Sequence, residues 1–332
     1  MKLRKSTTVA ITLAAALAIT VSLSGQNSLS SNFEPTARSS GDGRSQVIVY
    51  SDSAADNGNI YKLFGFPPSP PYWNGSWSNG PVAVQNMAAI LGMPLLDYAY
   101  AAATTGLGNL IDGGTVEQLG GLGVPGITTA YDTTISSIPR DTIHRSLFVV
   151  YGGGNDFAID GLTAATAERA AANLVAIVTD LHKRGARWIL VPGLPDLGMT
   201  PSYTSQGPET AALATSLSKY LNHRLIATLP KGVLYFDTFR LYQAMRAHPG
   251  AFGLTNVVDP CYDFFNGGPV CANPNQYLFW DTLGHATEPV QIILAARFAF
   301  AAYGFDLSRV SGEFNNNPHN KGQDLDPALS SN

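Results

Sequence analysis

Short runs of strand-forming apolar residues alternate along this chain with longer segments whose apolar positions recur at helical spacing. The runs cover residues 46–50, 95–100, 147–151, 187–191 and 232–236. Each stops at glycine, proline or small polar residues, as buried strands do. Between and after them, helical spacing marks residues 81–91, opened by Pro81, and the Ala-rich stretch 163–184, closed by Gly185. Two further helices are predicted over 209–228 and 287–302. Strands alternating with helices predict an α/β fold: a three-layer α/β/α sandwich around a mostly parallel five-stranded sheet.

Parallel sheets keep their chemistry at the C-terminal ends of the strands, so the residues just beyond each run matter most. After the first comes Ser51-Asp52-Ser53-Ala54-Ala55-Asp56-Asn57-Gly58-Asn59. Ser53 is there either a helix cap or a reactive hydroxyl. The second run leads into Ala101-Ala102-Ala103-Thr104, small enough for close backbone approach, and the third into Gly152-Gly153-Gly154-Asn155-Asp156. The aromatic, turn-rich segment from Pro71 to Pro81 is either a packed surface loop or a substrate-lining wall beside Ser53.

The N-terminus changes the picture of where the protein works. Lys2, Arg4 and Lys5 precede an apolar run from Thr7 to about Leu23 that exits through Ser24-Gly25. This predicts a secretory signal peptide over residues 1–25, with an uncleaved anchor as the rival, and hence a secreted or periplasmic protein. Residues 26–45 read as a flexible leader, and 307–332, rich in Asn, Asp and Pro, as a polar tail. A single domain is expected over 46–306.

Composition adds exclusions. A chain that is 45% hydrophobic and 13% charged can build a sizeable core. Loss of the three N-terminal cations would take the formal charge from -4 to -7, which makes nucleic acid an unsuitable partner. Cys261 and Cys271 are the only cysteines and flank a Gly-Gly-Pro turn, so one local disulfide is expected in an exported chain. No His, Cys or carboxylate cluster suggests a metal site, and no cofactor is expected.

The remaining chemistry lies near the C-terminus, in Trp280-Asp281-Thr282-Leu283-Gly284-His285-Ala286-Thr287. A serine, then small-residue and Asn donors, then an Asp with a His supply a nucleophile, an oxyanion site and a base with its acid. With these groups in that order, the chain resembles the GDSL esterase/lipase family, the SGNH hydrolases. The similar blocks are residues 49–59, Asp97 to Thr104, Gly153 to Asp156 and Trp280 to Thr287, with 191–198 and 248–254 between them. The likeness spans about residues 46–303 and is strongest to the secreted bacterial phospholipase/lecithinase/hemolysin-type branch.

The resemblance implies Ser53 as nucleophile, His285 as general base and Asp281 as its acid. It implies an oxyanion hole from the N–H groups of Ser53 and Ala102 and the side chain of Asn155. The implied activity is hydrolysis of a small-molecule or lipid ester through an acyl-enzyme, by a monomer that meets substrate in solution or in transient contact with a membrane surface. Transfer of the acyl group to an alcohol, or an inactive glycan- or lipid-binding relative, are the alternatives.

Three positions depart from the family pattern. Ser51 and Ala102 stand where it has glycine, and three residues rather than two separate Asp281 from His285. A backbone donor at Ala102 survives the methyl group if φ is negative there, and an α-like turn, with Gly284 taking up the mismatch, is expected to join Asp281 to His285 Nδ1. Two other patterns are decoys. Gly121-Leu122-Gly123-Val124-Pro125-Gly126 has the dinucleotide spacing but no preceding strand, and Asp141 and His144 enter the third strand at the end away from the chemistry.

Overall fold

The computed structural model describes residues 43–302; the expected signal peptide, most of the leader and the polar tail lie outside them. In chain order the elements are β1 (Gln46–Tyr50), α1 (Asn59–Phe64), α2 (Ala83–Leu91), β2 (Leu95–Asp97), α3 (Ile127–Thr134), α4 (Arg140–Arg145), β3 (Ser146–Val150), α5 (Gly154–Asp160) and α6 (Ala164–Lys183). They continue with β4 (Trp188–Pro192), α7 (Pro201–Thr204), α8 (Pro208–Thr228), β5 (Leu234–Phe236), α9 (Thr238–Ala247), β6 (Asn256–Tyr262), β7 (Tyr277–Asp281) and α10 (Glu288–Ala302).

Five strands form one sheet in the order β2-β1-β3-β4-β5, and every neighbouring pair is parallel. The two-residue alternation of strand side chains sorts the core into two layers. Val47, Val49, Leu147 and Val149 point to one face and pack with Met87 and Leu91 of α2, Met245 of α9 and Leu294 and Phe298 of α10. Ile48, Tyr50, Phe148 and Val150 point to the other and pack with Ile127 of α3, Leu174 and Val178 of α6 and Leu221 of α8. The three-layer sandwich expected from the hydrophobic pattern is therefore the observed one.

The second strand ends at Asp97, short of the predicted Tyr100, although Tyr98 and Tyr100 still donate their N–H groups to the Val49 and Ser51 carbonyls. Two strands lie outside the main sheet. β6 and β7 pair with each other in parallel, placing Tyr262 opposite Asp281, and the Cys261–Cys271 disulfide closes the loop that leaves β6. Among the described residues no helix is long and apolar enough to cross a membrane.

In a sheet of this order the chain leaves β1 in one direction and passes back over it to reach β3. The ends of those two strands thus flank the crevice where ligands of open α/β sheets bind. Ser53 comes after β1 and Asn155 after β3.

Candidate active site

The turn after β1 is built by its own carboxylates. Asp52 accepts the Ala54 N–H at 3.0 Å through Oδ1, and its carbonyl accepts the N–H groups of Ala55 and Asp56. This holds Ser53, half-buried, at the apex. The cap of α1 is supplied by Asp56, which accepts from the N–H groups of Gly58, Asn59 and Ile60 at 2.6–3.2 Å. Ser53 is thereby released from the capping role. Asp56 Oδ2 also takes the Ala101 N–H at 2.7 Å, and Asn59 donates to the carbonyls of Asp97 and Ala99. The serine turn and the loop after β2 are thus one hydrogen-bonded unit.

That loop presents Ala102 with φ 63°, in the left-handed region, so the condition of a negative φ is not met. With Asn74 it is one of two non-glycine residues with positive φ among those described. The Ala102 carbonyl accepts from Leu110 N–H, and Asn109 Nδ2 holds the Ala101 carbonyl, so the strained residue is clamped on both sides. Neither the Ser53 nor the Ala102 N–H has an acceptor among the described residues. Ser51, the other replacement of a family glycine, sits buried with no positive φ and needs no special backbone.

Gly152 and Gly153 take φ values of 157° and 113° on leaving β3 and turn the chain into α5. Asn155 Nδ2 donates to the Ala103 carbonyl at 2.9 Å, which fixes the amide plane beside Ala102 and leaves its second N–H available. Asp156 accepts both the N–H and the hydroxyl of Thr105. The ends of β1, β2 and β3 are therefore locked together by buried carboxylates. Burial pushes the carboxyls of Asp52 and Asp156 up to about 6 against the pull of their hydrogen bonds.

Asp281 ends β7 and is fully buried. Its Oδ2 lies 2.7 Å from His285 Nδ1, and its Oδ1 accepts the N–H groups of Leu283, Gly284 and His285 at 3.0–3.1 Å. The turn is not the α-like one expected. The Asp281 carbonyl takes the Gly284 N–H instead, three residues on, while the carboxylate itself replaces the carbonyl as acceptor for His285 N–H. Gly284 has φ 99° and packs against Thr200, where a β-carbon would clash. The added residue is absorbed by this glycine and the side-chain-closed turn. Burial alone would raise the Asp281 carboxyl, but the charge and hydrogen bond of His285 and the Tyr72 hydroxyl hold it below the ordinary carboxylate value. His285 also lies within electrostatic reach of Asp52, the neighbour of Ser53.

The segment from Pro71 to Pro81 is not a surface loop, since Tyr72, Ser76, Trp77 and Ser78 are buried. Tyr72 is buried and donates its hydroxyl to Asp281 Oδ2 at 2.6 Å. Ser78 donates to the Ala286 carbonyl, Asn79 Oδ1 accepts the Glu288 N–H, and the Trp77 ring lies 5.1 Å from that of His285. The roles of Asp56, Tyr72 and Asp156 are not marked by any local pattern. Tyr72 stands within the aromatic segment that the sequence singles out, and that enrichment was the one available signal. His144 lies on α4 before β3 and packs over Gly185, away from this edge. Among the described residues no three His, Cys, Asp or Glu side chains gather in a way that could hold a metal ion.

A serine turn after β1, N–H groups of Ser53 and Ala102 without acceptors among the described residues, and an Asp–His pair after β7 are the groups that ester hydrolysis needs. The model of the GDSL-like lipase/acylhydrolase family matches residues 52–298, and the chain belongs to that family. It is 28% identical over 231 residues to the phosphatidylcholine-sterol acyltransferase of Aeromonas hydrophila, covering 66% of this chain and 65% of that one. A GDSL esterase/lipase of Arabidopsis thaliana is 28% identical over 316 residues, covering 77% of this chain and 81% of the relative. The thermolabile hemolysin of Vibrio parahaemolyticus is 23% identical over 71% of this chain and 59% of its own.

Proposed function

We propose that this protein is an exported serine esterase that cleaves lipid-like carboxylic esters through an acyl-enzyme on Ser53. His285 takes the Ser53 hydroxyl proton as Oγ bonds to the acyl carbon, and the carbonyl electron pair moves onto oxygen. The N–H groups of Ser53 and Ala102 and Nδ2 of Asn155 hold that oxyanion. Collapse expels the alcohol, which takes the proton back from His285. Water then repeats the sequence and releases the acid. Asp281 holds the imidazole in one orientation and stabilises its charged form.

The observation that carries the reading is the 2.7 Å contact between His285 Nδ1 and the buried Asp281, whose carboxyl is held below its ordinary value by the charge and hydrogen bond of His285. An apolar substrate is supported by the aromatic path leading outward from His285. Trp77 contacts Phe66 and Phe264, Phe264 contacts Phe265, and Phe265 is 70% exposed. Leu63 and Phe64 are exposed as well. The basic and apolar N-terminus supports export, and no larger assembly is needed to complete the site.

A second reading, acyl transfer to an alcohol, is favoured by the relative named as a sterol acyltransferase. An active-site phosphonate should label Ser53, and a series of p-nitrophenyl esters should be turned over by the native enzyme. Ser53→Ala and His285→Ala should each lower kcat by roughly 10⁴-fold or more, and Asp281→Asn by roughly 10²- to 10⁴-fold. Retained turnover in Ser53→Ala would exclude the nucleophile. Near-native turnover in Asp281→Asn alone would leave a Ser–His dyad. Ester product growing with added alcohol at the expense of free acid would establish transfer.

A further inference from the structure

Resting on the role proposed for Asp281 and His285, we infer that Tyr72 is a positioning residue for the reaction: its hydroxyl sets the second oxygen of Asp281 and, through it, the imidazole of His285. An ionised carboxylate only accepts hydrogen bonds, so the 2.6 Å contact is O–H donated by Tyr72 to Oδ2. That distance lies in the short range of charge-assisted bonds. The same oxygen holds His285 Nδ1 at 2.7 Å.

The two oxygens of Asp281 are served separately. Oδ1 is saturated by three backbone N–H groups of its own turn, a local arrangement that forms whenever the turn forms. Oδ2 has two partners, His285 and Tyr72, and Tyr72 comes from a segment 209 residues away in the chain. Without the phenol, Oδ2 would have the imidazole as its one partner in a site from which water is excluded, since Asp281 is fully buried. The hydroxyl therefore adds to the pull of His285 on the carboxylate and fixes the direction in which Oδ2 presents itself.

The ring of Tyr72 is itself held rigidly. Trp77, Tyr262, Phe264 and Trp280 all meet it at steep angles, with centroids 5.8–6.3 Å apart. Tyr262 is the residue opposite Asp281 in the β6–β7 pair. Tyr72 thus ties the loop after α1 to the two-stranded sheet at the point where the acid emerges. A phenylalanine fills the same aromatic box, so the hydroxyl can be removed while the packing stays.

The test is Tyr72→Phe, assayed on a soluble p-nitrophenyl ester, with the Nδ1 proton of His285 followed by proton NMR. We expect kcat to fall roughly 10- to 150-fold, the range of one hydrogen bond to a charged group, with KM changed by less than about twofold. The downfield Nδ1 resonance should move or broaden. In an Asp281→Asn background the same substitution should add little further loss, because the two act through one contact. If Phe lowers thermal stability too far for assay, 3-fluorotyrosine at position 72 keeps the ring, makes the phenol a stronger donor and should move the same resonance.

An unchanged kcat and resonance in Tyr72→Phe, with Asp281→Asn still impaired, would overturn the inference and leave the triad standing. A loss confined to KM would make Tyr72 a substrate contact and overturn it equally. A harmless Asp281→Asn would instead remove the triad reading on which it rests.

Discussion

At Ala102 the backbone keeps the geometry of a glycine while the side chain does not. A left-handed conformation costs a residue with a β-carbon on the order of 1 kcal/mol, and φ 63° places Ala102 there. The proposed donor is a backbone N–H, which needs no side chain. Ala102→Gly should therefore raise stability by about 0.5 kcal/mol, the relief of strain being partly offset by a more flexible unfolded chain. Esterase activity should stay within about twofold of the native enzyme. Urea unfolding checks this, and a destabilisation above about 1 kcal/mol would show that the methyl group packs favourably enough to outweigh the strain. The strand ends that carry Ser53 and Asn155 were legible in the sequence because glycines and small polar residues mark them. The Asp281–His285 contact was legible as well, but the form of its turn was not, since a carboxylate closing its own turn leaves the same sequence as a helical one. Tyr72 could not be assigned its contact at all, because its partner lies 209 residues away.

Among the elements, the five strands of the main sheet were readable because each is bounded by turn residues and carries a short apolar run. The β6–β7 pair was not. β6 exposes Val258 and Asp259, and Pro260 interrupts it, which argues against a strand when only the sequence is seen. It is also this pair that brings the acid to the site, with Tyr262 in register with Asp281 and the disulfide one residue before Tyr262. Closing a loop of this length contributes about 2 to 3 kcal/mol in the chain-entropy model. Reduction of Cys261–Cys271 should therefore lower the melting temperature and kcat together, measured by thermal scans and ester turnover before and after treatment with a reductant. Full activity in a protein with two titratable thiols would show that β6–β7 holds its register without the bond.

For the whole molecule, buried acids set the dependence of stability on pH. Asp52 and Asp156 have carboxyls pushed up to about 6, and Asp56 and Asp97 are raised in the same direction by burial. Asp52 and Asp156 bind more protons folded than unfolded between about pH 4 and 6, so their contribution to stability falls as pH rises through that window, and Asp56 and Asp97 act in the same direction. For Asp52 and Asp156 a shift of about two units corresponds to roughly 3 kcal/mol each. Asp281 works in the opposite sense. Its depressed carboxyl contributes stability above the ordinary carboxylate value that is lost as pH falls through its folded one. Melting temperature should thus be higher near pH 5 than near pH 7.5, and Asp52→Asn should flatten the decline. A melting temperature that rises steadily from pH 5 to 7.5 would contradict this balance.

The long separation between the serine turn and the acid–base turn has a consequence in time as well as in space. Ser53 is made early and His285 late, and the bonds joining Tyr72 to Asp281 and Ser78 to Ala286 each span more than two hundred positions. No shorter stretch of the growing polypeptide contains a complete site. Everything between the serine and the histidine, including the helices on both faces of the sheet, must be synthesised before the hydroxyl meets its base. On the proposed assignment the serine is an ordinary alcohol until then, and a chain interrupted anywhere before His285 lacks the base that would activate it.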